Sequence, residues 1–290
     1  MAKEYDFDGT SLRIVDPELG IAIEEAFAPR KLPPFYQLES HPDVAVEKSR
    51  ADGEISAGFR TGKGLEGEWK CFTPTGQVKG ECTYREGVLH GPSRFYHKNG
   101  QCLSESWFYR GLQHGQALRY DRQGSLLALE RYVAGKREGK HIYYYPDGAL
   151  KTTLEYKEGK LEGTAHLFWA DGTQKRSVFF EQGQREGWDR IWSQAGALLS
   201  EGEYKAGNPI GRHRCWHDKG ILLSMRSYHT PEQFDQWEWD AEGKPLCALT
   251  FDAAQQVVEK RWEQGKERVR RGKWMAGKIE WDKEETAQEK

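Results

Sequence analysis

Hydrophobic and polar residues alternate along this chain on two length scales. Runs such as His141 to Tyr145 and Leu150 to Tyr156 are rich in aromatic and β-branched residues, the composition of a strand. On the longer scale, the same order of residues returns every 24 positions. Gly87, Gly111, Gly135, Gly159, Gly183 and Gly207 open successive copies, and a second glycine follows four places later, from Gly67 to Gly211. A third glycine row runs from Gly76 to Gly220. Two aromatic rows keep phase with them: Phe72, Tyr96, Tyr120, Tyr144, Phe168, Trp192 and Trp216, then Tyr84, Phe108, Tyr132, Tyr156, Phe180, Tyr204 and Tyr228. Self-similarity at a fixed period of this length marks a repeat architecture.

Each copy reads as one β-hairpin. Pro146-Asp147-Gly148 and Ala170-Asp171-Gly172 are its turns, and the glycine pair Gly135 and Gly139 makes the return to the next hairpin. The expected fold is mainly β: an elongated antiparallel meander of hairpin repeats behind a short N-terminal cap. Residues 1–41 lie outside the repeat, and Asp16-Pro17-Glu18 has the N-cap, proline and acid of a helix start, predicting a short helix to about Phe27. The array spans residues 42–280. A worn copy covers 42–61, seven regular copies run from about 63 to 229, and degenerate copies follow, with Trp239 and Phe251, then Trp262 and Trp274, each pair 12 apart like Tyr144 and Tyr156. Residues 281–290 read as a charged tail.

A lone hairpin is marginal in water, so neighbouring copies must share buried surface. The two aromatic rows are expected to supply it on one face. Alternation then places Phe95, Trp107, Tyr143, Tyr145, Leu167, Trp169, Phe179 and Ile191 on the other, among charged residues, as a partner-binding surface. The N-terminal acids Asp6, Asp8, Asp16, Glu18, Glu24 and Glu25 are candidates for steering a basic partner.

Composition narrows the function. A net charge of −2 argues against direct nucleic-acid binding, which needs a strongly basic face. The N-terminus lacks the basic and apolar regions of a secretory signal, no run approaches a membrane span, and five cysteines without CxxC spacing fit free thiols; a cytoplasmic location is expected. The densest basic stretch, Lys266, Arg268, Arg270, Arg271 and Lys273, interleaves with acids and reads as a solvated edge strand rather than a membrane contact.

Candidate chemistry is sparse. Residues 62–67 match GxGxxG, yet their counterparts are hairpin returns and no crossover helix follows. Asp6-Phe7-Asp8-Gly9-Thr10 resembles the first motif of the haloacid-dehalogenase-like phosphatases, which also need an apolar strand before it and a doubly wound α/β body behind it; a turn at Asp8-Gly9 is the simpler reading. His213, Cys215 and His217 alternate on one strand, at metal-ligand range if they share a side, but no fourth ligand is evident. His90 and His114 stand where other copies have Glu138 and Glu162, and so look like exposed turn residues. No cofactor, resident metal or catalytic constellation is expected.

The segment Tyr156 to Gly163, followed by aromatic residues and then Asp171-Gly172, resembles the MORN repeat and, more closely, the bacterial MORN-variant family often labelled antitoxins or immunity proteins. The resemblance covers about 45 to 280, although a 24-residue period is slightly longer than the family's usual repeat and the N-terminal segment is extra. It implies a hairpin-repeat sheet that neutralises a cognate toxin, such as a nuclease effector of type VI secretion acting on a cytoplasmic target. A MORN-type scaffold or membrane-peripheral adaptor is the alternative it implies.

Overall fold

In a computed structural model that describes residues 2–49, 51–252, 254–263, 266–275 and 277–282, strands dominate and the one helical element is a 3-10 turn at Phe35–Gln37. Among the described residues, 23 strands form an antiparallel meander. Three more, β1 (Glu4–Phe7), β2 (Ser11–Asp16) and β3 (Ile21–Ala26), form a separate small sheet. The worn copy contributes Val44–Lys48 and Ile55–Thr61, and the last strand is Lys278–Trp281. Of the expected charged tail, residues 283–290 lie outside the described residues. Two compact units result, Met1–Lys160 and Leu161–Lys290.

Two kinds of turn build every repeat. At Pro146-Asp147-Gly148, the Gly148 N–H donates to Tyr145 O (2.9 Å), the Tyr145 N–H to Ala149 O (2.8 Å), and Asp147 Oδ1 accepts from the Ala149 N–H (3.0 Å). With Gly148 at φ +85° this is a three-residue loop, a type I turn closed by a left-handed glycine. The return turn differs: Glu158 and Gly159 both have positive φ, +51° and +84°, as a type I′ turn requires. Glu86, Arg110, Ala134, Gln182 and Ala206 sit equivalently, each left-handed and each followed by glycine.

A left-handed L-residue costs roughly 1–2 kcal/mol. Here its N–H is held by a side chain of the preceding repeat. Glu86, Glu158, Gln182 and Ala206 donate to the carboxylates of Glu66, Glu138, Glu162 and Glu186 at 2.7, 2.7, 2.9 and 2.7 Å. In the other two repeats Arg110 and Ala134 donate to Nδ1 of His90 and His114, both at 3.4 Å. The histidines therefore replace glutamate as acceptors, but His90 is fully buried, contrary to the exposed position expected of it.

The hairpin loop also decides which way the rings point. Tyr143 stands opposite Thr152, yet Tyr144 stands opposite Leu150, so Lys151 is an extra residue and the alternation slips by one. The same slip recurs at Tyr96, Tyr120, Phe168, Trp192 and Trp216. The two aromatic rows, expected on one face, consequently lie on opposite faces. One, the tyrosine face, carries Tyr132, Tyr156, Tyr204 and Tyr228. Histidines are inserted between these tyrosines: His141 sits between Tyr132 and Tyr156 (centroids 5.9 and 4.6 Å), and His213 between Tyr204 and Tyr228 (5.0 and 4.7 Å). The other, the tryptophan face, carries Trp107 in the first unit and Trp188, Trp192 and Trp216 in the second.

Within the first unit, the small sheet lies on the tryptophan face. Leu12, Ile14, Ile21 and Phe27 form one buried cluster with Trp107, joined by Tyr5, Tyr109 and Val133. A second cluster, Leu38, Ile55, Ala57 and Phe72, is packed by Phe35, whose ring centroid is 5.0 Å from that of Phe72. The helix expected from Asp16 to Phe27 is absent. Asp16-Pro17-Glu18 forms a turn, with the Leu19 N–H on Asp16 O (3.1 Å), and Ile21–Ala26 is a strand in which buried Ile21 and half-buried Ile23 and Glu25 alternate with exposed residues. A period of two from Ile21 to Glu25 outweighs the helix-start signal, because it turns both isoleucines to the hydrophobic cluster around Trp107.

Replacing Trp107 with alanine should cost about 3–5 kcal/mol by emptying the centre of this cluster. Urea unfolding of the variant should show a lower midpoint, with residues 1–27 more rapidly cleaved by protease. An unchanged midpoint would contradict this packing.

Candidate protein-binding surfaces

The interface between the small sheet and the first unit's repeats shows what this tryptophan face binds. Glu18 takes a bond from Arg131 Nη1 (2.8 Å) and another from Lys3 Nζ (2.6 Å), which together hold its carboxyl below the usual range. Glu25 pairs with Arg85 and lies 3.8 Å from His90 Nε2. Asp16 is buried and accepts from the Tyr5 hydroxyl (2.7 Å); burial and that carboxylate push the phenol pKa up. Glu24 bonds Arg13 at 3.1 Å. Four of the six acids assigned to steering are thus engaged inside the chain. Asp8 caps its own turn, accepting from the Thr10 hydroxyl and the Thr10 and Ser11 N–H groups at 2.7 Å each, which lowers its pKa to about 2. Asp6 faces Arg13 across β1 and β2.

The eight residues expected to form one aromatic surface are divided. Phe95 and Tyr143 lie on the tyrosine face of the first unit, where Phe95 is 43% exposed and packs on Gly80; a Cβ there would stand 2.7 Å from the ring. Tyr143 donates to Glu130 (2.7 Å). Trp107 is on the other face and only 1% exposed, so it is not available to a partner. In the second unit Leu167 and Ile191 flank Arg176 on the tyrosine face, while Phe179 is on the tryptophan face. Tyr145 and Trp169 sit at hairpin ends, where the Trp169 indole N–H donates to Trp192 O (3.3 Å).

Phe179 and Trp188 form the main exposed aromatic feature of the second unit, each 41% exposed on adjacent strands of the tryptophan face. Arg190 lies 4.8 Å from the Trp188 ring centroid. Trp188 is absent from the surface predicted from sequence. Its signal was an aromatic at a phase filled in the other copies by Glu68, Pro92, Gln116, Lys140, Thr164 and Arg212.

Asp6 and Asp8 belong to an antiparallel sheet and its turn, without the α/β body that the phosphatase reading requires. His213 bonds Glu203 O (2.9 Å), Cys215 Sγ is 3.8 Å from Ser200 Oγ, and His217 Nδ1 accepts from the Lys219 N–H (3.2 Å). No group of three or more metal-ligating side chains is found among the described residues. Within Lys266–Met275, Lys266, Arg268 and Arg270 share one side of the strand and Arg271 and Lys273 the other, and Arg268 and Arg270 pair with Glu263 and Glu259.

Residues 65–86 and 137–158 match the MORN repeat variant family. The two segments begin 72 residues apart, three periods of 24, so they cover the same part of two repeats. No match is found among curated proteins. Among solved structures, a porin-like protein from Bacteroides uniformis ATCC 8492 is similar at 10% identity over 79% of this chain and 93% of that one, with a TM-score of 0.18, too low to bear on fold or function.

The histidine acceptors give the first unit a pH dependence. Burial lowers the pKa of His90, His114 and His141, so the folded chain binds fewer protons than the unfolded one. The stability they permit is complete above about pH 6.5 and is lost as pH falls below it. Protonation of His114 also removes the acceptor for Ala134. Replacing His114 with glutamate, as four other repeats have it, should leave the free energy of urea unfolding within about 0.5 kcal/mol at neutral pH and reduce its loss in acid. A variant as acid-sensitive as the parent would refute this.

Proposed function

We propose that this chain is a non-catalytic binding protein whose repeat sheet docks another protein, and that the partner is a toxin domain it neutralises. One observation carries the reading. On the tryptophan face, the position that Trp107 fills in the first unit, three repeats before Phe179, is already a docking surface, covered by the small N-terminal sheet. The second unit presents Phe179 and Trp188 at the corresponding face with both rings exposed. Aromatic side chains flanked by arginine are the groups that dominate protein interfaces.

The toxin assignment takes its support from the MORN-variant match at residues 65–86 and 137–158 together with that surface. Because Asp16, Glu18, Glu24 and Glu25 are paired internally, recognition rests on the exposed rings rather than on an acidic N-terminus. The target of such a toxin is cytoplasmic in this reading, and the complex forms there.

Co-expression with the product of an adjacent toxin gene should rescue growth and give a complex on gel filtration. The double change Phe179→Asp with Trp188→Asp should abolish rescue while the thermal midpoint stays within a few degrees, since both side chains are partly in solvent. No rescue and no complex with the unaltered chain would sink the proposal.

A further inference from the structure

The tyrosine face of the second unit carries an unbalanced set of charges. Arg176 donates to both oxygens of Asp189, Nε to Oδ1 at 2.8 Å and Nη2 to Oδ2 at 2.6 Å, and Asp189 is buried. Arg185 reaches that carboxylate only at 3.5 Å, and its guanidinium carbon lies 3.8 Å from the centroid of Tyr204. Arg226, opposite His213, donates to Gln236 (3.1 Å) and sits 4.8 Å over Phe234. The registers place all three arginines and Asp189 on one side. From strand Gly163–Phe168 to strand Phe234–Trp239, three guanidinium groups on that side thus meet two carboxylates among the described residues, Asp189 and Glu238, and Glu238 accepts from Gln236.

The first unit shows the balanced version. Arg137, two periods before Arg185, bonds the Tyr156 hydroxyl (3.1 Å) and lies 3.9 Å from Glu130. Two and three periods after Glu130 stand Val178 and Gly202, so the second unit lacks that acid. Side chains of Arg176 and Arg185 are each more than a third exposed. A guanidinium resting on a ring keeps its N–H edge free, is weakly hydrated, and matches a carboxylate as a fork. Leu167 and Ile191 flank Arg176 in register and supply apolar contact beside the charge.

We infer that this face takes a protein segment in which carboxylates alternate with aliphatic side chains. The inference rests on the reading that the chain binds proteins and adds the chemistry of one contact. Nucleic acid fits less well, since a phosphate backbone calls for a continuous basic field and the chain's net charge is −2.

The test titrates the full chain with a short fluorescein-labelled peptide of repeating Glu-Ser-Leu, its Gln-Ser-Leu counterpart, and oligo(dT) of equal charge, read by fluorescence polarisation. Saturable binding of the glutamate peptide alone is expected, weakened by about tenfold or more in the double variant Arg185→Gln with Arg226→Gln. Arg212→Gln, exposed on the opposite face, should leave it unchanged. Arg176 is retained because it neutralises buried Asp189, and should the double variant lose its fold, Arg226→Gln alone is compared. No binding of the glutamate peptide, equal binding of the glutamine peptide, or preference for oligo(dT) would overturn the inference. A chain that ignores the glutamate peptide yet still rescues cells from a toxin would remove this contact and leave the protein-binding reading standing.

Discussion

A single acceptor side chain at each return turn holds neighbouring hairpins in register. Without it, six left-handed residues, four of them with side chains longer than alanine, would stand strained at the junctions between copies. Glutamate performs the task in four repeats and histidine in two, and every bond reaches from one repeat to the next across 20 residues of chain. Hairpins that are marginal alone thereby become one sheet, because each junction fixes the spacing at which the next set of rings must pack. Of the two histidines, His90 is fully buried, and the ring of Phe27 lies 4.6 Å from its own.

The period, the turns and the strands were legible because they are local. A glycine held in phase reports a turn wherever it stands, and alternation reports a strand. The facing of the rings was not legible by counting, since one extra residue such as Lys151 inverts the side to which everything beyond it points. Residues 16–27 misled for a related reason: Asp16-Pro17-Glu18 begins a turn as readily as a helix, and only burial of Ile21 and Phe27 against Trp107, some 80 or more residues away, selects the strand. Long-range packing also explains the acids. Glu18 and Glu25 look free in sequence, and their partners Arg131 and Arg85 lie 113 and 60 residues further on.

The two units put a common repeat to different uses. In the first, the tryptophan face is occupied by the chain's own small sheet, and on the tyrosine face Arg137 has Glu130 beside it. In the second, Phe179 and Trp188 stay in solvent on one face and arginines outnumber acids on the other. A repeat protein can diverge in this way cheaply, because changing one face of one copy leaves the turns and the junctions intact.

The bond between Glu18 and Arg131 has a bearing on biosynthesis. During translation the small sheet emerges well before the strand that receives it, and at ordinary elongation rates the 113 residues between them take on the order of ten seconds to make. For that interval Leu12, Ile14 and Phe27 have no finished platform to rest on. The growing chain must therefore carry an exposed greasy edge through most of the synthesis of its first unit, a window in which a chaperone, or a second nascent copy, competes with the seat the sheet finally takes.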